Sequence, residues 1–260
     1  MGDVNLTEHE LKHADGDFRV VVLGHGSALD GNQPCAAVFG EPDDGCLVRI
    51  HSRCVYGEIF ESVDCDCRDQ LRQSMAMMRK AGSGVLIYLD QEGRGAGLLA
   101  KARGYQLTQR EGLDTFSSYR VLGLQEDSRS YEDAVAILRS LNLRRVRLLT
   151  NNPAKVAALS TADVQVEQQS FLVRGQSAEA RRYLAAKARH GHTISIAELE
   201  ADAARDRWRW LHKLLRRTGR RPAPAAPERV TARVVELPVQ QPLNPVEQPV
   251  VAAQPTDLVS

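Results

Sequence analysis

The stretch RDQLRQSMAMMRKAGSGVLIYLD, Arg68 to Asp90, decides the fold. Leu71, Met75 and Met78 recur at helical spacing, Gly82 supplies a stop, and GVLIYL is a short apolar run suited to a buried strand. A helix feeding straight into such a strand implies a sheet covered by helices.

Downstream the alternation continues. A helix is expected over GLLAKARGYQLTQREG, another over YEDAVAILRSLN, then a strand RVRLLT ending at Thr150, a short helix PAKVAALS and a strand VQVEQQSF. The turn-rich stretch from Asp114 to Arg129 reads as the main loop. Upstream, FRVVVLG from Phe18, PCAAVFG from Pro34 and CLVRIHSRC from Cys46 are separated by Gly, Pro, Asn and Asp, and read as an antiparallel opening. The expected class is therefore α/β (α+β): a mixed central sheet with antiparallel N-terminal strands and flanking helices over residues 17–194. Residues 1–16 are polar and unpatterned and read as a flexible arm. Ser195 and Glu198 form a capping box opening an amphipathic basic helix over 195–218, with Trp208 on a leucine-bearing face expected to pack on the domain or on a second subunit. Residues 219–260 carry most of the chain's eleven prolines and read as a disordered tail.

Lys and Arg total 34 against 33 Asp and Glu, so no global field draws the chain to nucleic acid or to an anionic membrane. No apolar run approaches the roughly 18 residues of a membrane span, and MGDVNLTEHELKHADG lacks the basic start and apolar middle of a secretory signal. The expected location is the cytoplasm, where disulfides seldom persist.

That compartment sharpens the meaning of CVYGEIFESVDCDC, Cys54 to Cys67, which holds three of the five cysteines. The spacing matches neither paired zinc-finger knuckles nor a deaminase site. Three thiolates with a fourth position left for water would make a catalytic zinc. Closure of the tetrahedron by Cys46 or His51 would make a structural one, and three unrelated buried thiols would make none. All three readings stay open on spacing alone.

Other groups follow strand ends. In DQEGRGAGL the glycine turn offers backbone N–H groups and a helix start to a phosphate, and Arg94 adds a mobile positive charge. Thr150 and Lys155, in TNNPAKV, would face the crevice beyond a strand end. Asp127 and Arg129 stand two apart before a helix, where a carboxylate could take a proton and an arginine hold a phosphate. Tyr105 could orient water or donate its phenolic proton.

In order and interval, RIHSRC, CDC, DQEGRGAGL, GLDT, DSR and LLTNNP closely resemble GTP cyclohydrolase II, from about Arg49 to His192. The resemblance implies a homodimeric enzyme with one zinc per subunit and magnesium on the triphosphate. Such an enzyme opens the imidazole ring of GTP, releases formate and pyrophosphate, and yields 2,5-diamino-6-ribosylamino-4(3H)-pyrimidinone 5′-phosphate, the first step toward riboflavin. It further implies Cys54, Cys65 and Cys67 as zinc ligands, Asp127 as proton acceptor, Arg129 as the group on the α-phosphate and Tyr105 as an aid at the ring. Arg49, His51, Arg53, Gln70, Glu92, Gly93, Arg94, Thr115, Thr150 and Lys155 fall on GTP-contacting positions, with Glu92 the candidate acceptor for the purine N1–H and amine edge. The chain departs from the family pattern at Arg53, where Glu is usual, and at Arg68, Gly95, Ala96 and Ala154. No synthase domain is expected ahead of the cyclohydrolase region. An enzyme that keeps the formyl group or serves a specialised pathway, and a non-catalytic zinc-stabilised regulator, are the alternatives.

Overall fold

A computed structural model of the chain describes residues 4–25, 33–171 and 177–195. The apolar run at Gly84–Leu89 lies in the middle of its sheet, as a strand buried on both faces must. Among the described residues seven strands occur: β1 Val4–Leu11, β2 Phe18–His25, β3 Cys35–Phe39, β4 Cys46–Ser52, β5 Gly84–Leu89, β6 Arg145–Leu149 and β7 Gln165–Gln169, in spatial order β1-β2-β3-β5-β4-β6-β7. The helices are α1 Val55–Glu58, α2 Cys67–Ala81, α3 Gly97–Glu111, α4 Thr115–Val121, α5 Glu132–Ser140, α6 Pro153–Thr161 and α7 Ala178–Arg189.

Alternation of side chains splits the core into two layers. Val48, Ile50, Val85, Ile87 and Leu148 bury one face of the sheet against Ala134, Ile137 and Leu138 of α5 and Leu159 of α6. Leu47, Leu86 and Leu149 bury the other face against Met78, Leu71 and Met75 of α2. The α2 packing is close enough to require glycine at the start of β5: a Cβ on Gly84 would lie 2.5 Å from Met78 Cγ and 2.9 Å from the Leu47 carbonyl. Gly82, at φ 80, ends α2 in the left-handed conformation expected of a helix-stopping glycine.

Pairing separates the sheet into an antiparallel half, β1 through β3 to β5, and a parallel half in which β4 pairs with β5 and β6, and β6 with β7. The mixed sheet with an antiparallel start and flanking helices is the expected class. One strand is placed differently: β4 was read with the antiparallel opening, but β5 inserts between it and β3, so that Ile87 faces Ala36 on one side and Ile50 on the other. The parallel strands β4, β5 and β6 all end at one edge, which brings the loops after Ser52, Leu89 and Leu149 together there.

Three other elements differ from the sequence reading, two of them for a physical reason. The segment read as a flexible arm contains β1, which pairs with β2 along its whole length. Leu6 packs against the core and Glu8 takes an ion pair from Arg19 at 2.6 Å, so backbone pairing holds a stretch too polar to reveal itself. The loop from Asp114 to Arg129 contains α4, started by Asp114, whose Oδ1 accepts the N–H groups of Phe116 and Ser117 at 2.9 and 3.0 Å. Helix α7 was not read at all. The basic helix over 195–218 and the tail over 219–260 lie outside the described residues, except for Ser195. No helix among the described residues is long and apolar enough to cross a membrane.

Candidate active site

The three cysteines meet because two helix starts bring them together. Cys54 stands immediately before α1 and its sulfur accepts the Gly57 N–H, while Cys67 opens α2. Their sulfurs and that of Cys65 all lie within 4.8 Å of one another, with Cys54 Sγ 3.7 Å from Cys65 Sγ. A disulfide would need about 2.05 Å. Two sulfurs at about 2.3 Å from one tetrahedral zinc stand about 3.8 Å apart, so the observed separation suits a shared metal. Gly57 forms the floor: a Cβ there would reach 2.9 Å from Cys65 Sγ and 3.4 Å from Cys54 Sγ. Cys46 and His51 are not members of the cluster; Cys46 packs in the core.

Lys101, on α3, was not foreseen. Its ammonium lies 3.1 Å from Cys54 Sγ and 2.7 Å from Glu92 Oε1. Thiol hydrogen bonds from Cys65 and Cys67, then the Lys101 charge, pull the Cys54 thiol far below its usual range. Bonding to that same sulfur and burial push Cys65 up to about 11. One thiolate is thus already favoured before any metal binds.

Glu92, the candidate acceptor for a purine edge, already holds three bonds. Its Oε2 accepts Val55 N–H at 2.7 Å and its Oε1 accepts Gly93 N–H at 3.0 Å besides Lys101, so the carboxylate ties the glycine turn to α1. Gly93 must remain bare, because a Cβ would meet Tyr119 Oη at 3.0 Å and Lys101 Cβ at 3.2 Å at a φ of 58. Arg94 is not a free-swinging charge. It adopts φ 57, its carbonyl accepts Ser128 N–H, and its guanidinium lies 3.5 Å over Phe116, whose other stacking partner is His190 at 3.6 Å. Its Nη1 is buried without a hydrogen-bond partner.

One cleft joins these groups. It is lined by Cys54, Cys65, Cys67, Arg49, His51, Arg53, Gln70, Glu92, Gly93, Arg94, Tyr105, Thr115, Arg129, Thr150 and Lys155. Of the nominated residues Asp127 alone stands off its wall, behind Arg129, to which it gives both carboxylate oxygens. Arg49 is a buried anchor: Nη1 donates to the Leu149 carbonyl at 2.8 Å, Nη2 to Gln70, and the guanidinium sits 5.0 Å over Phe171. His51 is held by Glu58 at 2.9 Å, and Glu58 also accepts from Tyr88 at 2.7 Å. Arg53 pairs with Asp90 at 2.8 Å. Thr150 Oγ1 accepts Asn152 N–H, and Lys155 Nζ donates to the Ile50 carbonyl at 2.7 Å. Tyr105 meets the Tyr56 ring edge-on at 5.2 Å; burial and the nearby Cys65 keep its phenol protonated.

The cleft wall is electropositive. Burial, then Arg49, Arg129 and Lys187, drives the Lys155 ammonium well below its usual value. Burial, then Lys187, Arg129, Arg94 and Lys155, brings His192 down to about 3. Basic groups crowded together in this way hold down one another's protonation, and an anion among them would relieve the crowding. Tyr183, Lys187 and His192 also line the cleft and were missed. Lys101 was legible, one helical turn before Tyr105, and so was α7, through the Ser177 cap and the run of strong helix formers that follows it.

Residues 5–170 match the sequence model of the GTP cyclohydrolase II family. The chain is 42% identical over 177 residues to the riboflavin biosynthesis protein RibBA of Bacillus mycoides, covering 67% of this chain and 44% of that protein. It is 44% identical over 167 residues to GTP cyclohydrolase-2 of Xylella fastidiosa, covering 63% and 42%, and 45% identical over 179 residues to a probable bifunctional chloroplastic riboflavin biosynthesis protein of Oryza sativa, covering 67% and 32%. The chain thus spans less than half the length of these relatives. A two-domain 3,4-dihydroxy-2-butanone 4-phosphate synthase of A. baumannii aligns at TM-score 0.36 and 19% identity over 64% of this chain and 40% of that one, a likeness too slight to bear on function.

Proposed function

The chain belongs to the GTP cyclohydrolase II family, and from that membership we propose that it hydrolyses GTP, opening the imidazole ring with release of formate and pyrophosphate, in riboflavin biosynthesis. The observation that carries this is the junction of two features in one cleft: a thiol triad with sulfurs at metal-sharing distance and a wall of cations built for a polyphosphate.

Cys54, Cys65 and Cys67 would hold zinc, which would supply Lewis-acid activation of water. The chain's own groups do the rest. Arg94, Arg129 and Lys155 bind the triphosphate with its magnesium. Arg94 is presented by a backbone conformation costing about 1 kcal/mol or more, which its stack on Phe116 and its bond to Ser128 offset. When the Arg129 fork turns to a phosphate, Asp127 loses its partner and is free to accept the proton of the attacking water. Tyr105, kept protonated by its surroundings, acts as a hydrogen-bond donor at the ring. The cytoplasm suits a centre that needs its thiols reduced, and a homodimer is the expected assembly.

Incubation with GTP, zinc and magnesium, with products identified by mass, tests the reading. Formate and pyrophosphate in equal amounts support it. Pyrophosphate without formate assigns the chain to a formyl-retaining enzyme, an outcome given weight by Arg53 and its pair with Asp90. Neither product overturns it.

A further inference from the structure

Helix α7 lies beyond the stretch that matches the family model, yet it is fastened to the thiol loop at two points. Ser177, which starts the helix by accepting Ala180 N–H, donates its hydroxyl to the Val63 carbonyl at 2.5 Å. Near the other end Lys187 Nζ lies 2.9 Å from Asp66 Oδ1. Asp66 is the residue between Cys65 and Cys67. It occupies the cap position of α2, but its side chain makes no capping bond. Instead one oxygen takes Lys187 and the other takes Gln70 Nε2 at 2.5 Å. The Asp66 side chain is fully buried and that of Lys187 is 13% exposed.

We propose that α7 is a working part of the thiol centre and that Lys187 is a positioning residue, fixing the Cys65–Asp66–Cys67 turn through the carboxylate between its two sulfurs. The inference rests on the metal reading of the triad. A carboxylate that gave up its cap is held by the helix opposite, so the spacing of two ligands depends on a side chain about 120 positions away. Ligand distances in metal sites hold to within about 0.2 Å of their standard values. Asp66 shares peptide units with both cysteines and cannot shift alone. Removing Lys187 takes from a fully buried carboxylate its only direct ion pair among the described residues and leaves it the Gln70 bond and the Arg49 charge nearby, a deficit that the turn relieves by moving toward water.

The test is zinc affinity, measured on the full metal-stripped chain by competition with a chromophoric chelator. The wild type is compared with Lys187→Met and with Lys187→Gln, which retains a donor for Asp66. Leu159→Ala, a cavity on the opposite side of the sheet, calibrates what lost stability alone does to affinity. Lys187→Met is expected to weaken zinc binding about 10- to 100-fold, as outer partners of metal ligands do, with Lys187→Gln between it and the wild type. Should Lys187→Met fail to fold, a tenfold loss for Lys187→Gln relative to Leu159→Ala carries the same meaning. Affinities for the Lys187 variants no weaker than that of Leu159→Ala overturn the proposal and leave the metal reading standing. A wild type that binds no zinc overturns both.

Discussion

Arg129 grips both carboxylate oxygens of Asp127 with one edge of its guanidinium, Nε 2.8 Å from Oδ1 and Nη2 2.5 Å from Oδ2. Burial raises the carboxyl, but the arginine's hydrogen bonds and charge more than reverse this and hold it below the ordinary range. Asp127 is therefore ionised at neutral pH and occupied until Arg129 is drawn away.

Asp127→Asn keeps the shape of the pair and removes the proton acceptor. Turnover should fall about 100-fold or more, the usual worth of a positioned base, with zinc content unchanged. Elemental analysis beside a formate assay checks it. A variant near full activity removes Asp127 from the mechanism.

Gly57→Ala places a methyl 2.9 Å from Cys65 Sγ and 3.4 Å from Cys54 Sγ, and the sulfurs must spread to admit it. Zinc affinity should drop by about tenfold or more, a loss on the scale of damaged metal surroundings. Chelator competition on the folded variant reads this directly, and unchanged affinity contradicts the packing described for the triad.

Lys101→Met takes the counter-ion from the Glu92 carboxylate, 7% exposed beside a lysine at 12%, and leaves it only the Val55 and Gly93 N–H groups. Removing one member of so buried a pair costs about 3 kcal/mol. The double variant with Glu92→Gln should recover part of that loss in urea unfolding. Equal stability of single and double variants would show that the pair is not coupled.

His192 carries a pH dependence. Its folded value lies near 3, against an ordinary 6.5, because burial and the four cations Lys187, Arg129, Arg94 and Lys155 oppose its charge. Below 6.5 the unfolded chain binds a proton that the folded chain refuses. The folded state therefore has its full His192 contribution above 6.5 and loses it progressively as pH falls toward 3. His192→Gln should flatten the decline in urea midpoint between about pH 7 and pH 5, and an undiminished slope contradicts it.

Much of this was written in local pattern. The α2–β5 unit showed itself through Leu71, Met75, Met78 and the Gly82 stop, and the place of the triad through three cysteines within fourteen residues, although spacing alone left open whether they share a metal. What stayed hidden depended on distant partners. β1 has few apolar residues and is held by pairing with β2, and α4 sits in a stretch whose turn residues masked an Asp114 cap. Strand direction was invisible for β4, since β5, which arrives later in the chain, separates it from β3. The committed state of Glu92 and the pinning of Arg94 on Phe116 were likewise illegible, because each rests on side chains that only folding brings near.

Zinc-edge X-ray absorption on the purified, zinc-replete chain tests the central claim most directly. The account predicts one zinc surrounded by three sulfurs at about 2.3 Å and a single lighter neighbour in the remaining position. A shell of four sulfurs, or a folded chain that takes up no zinc, would contradict it.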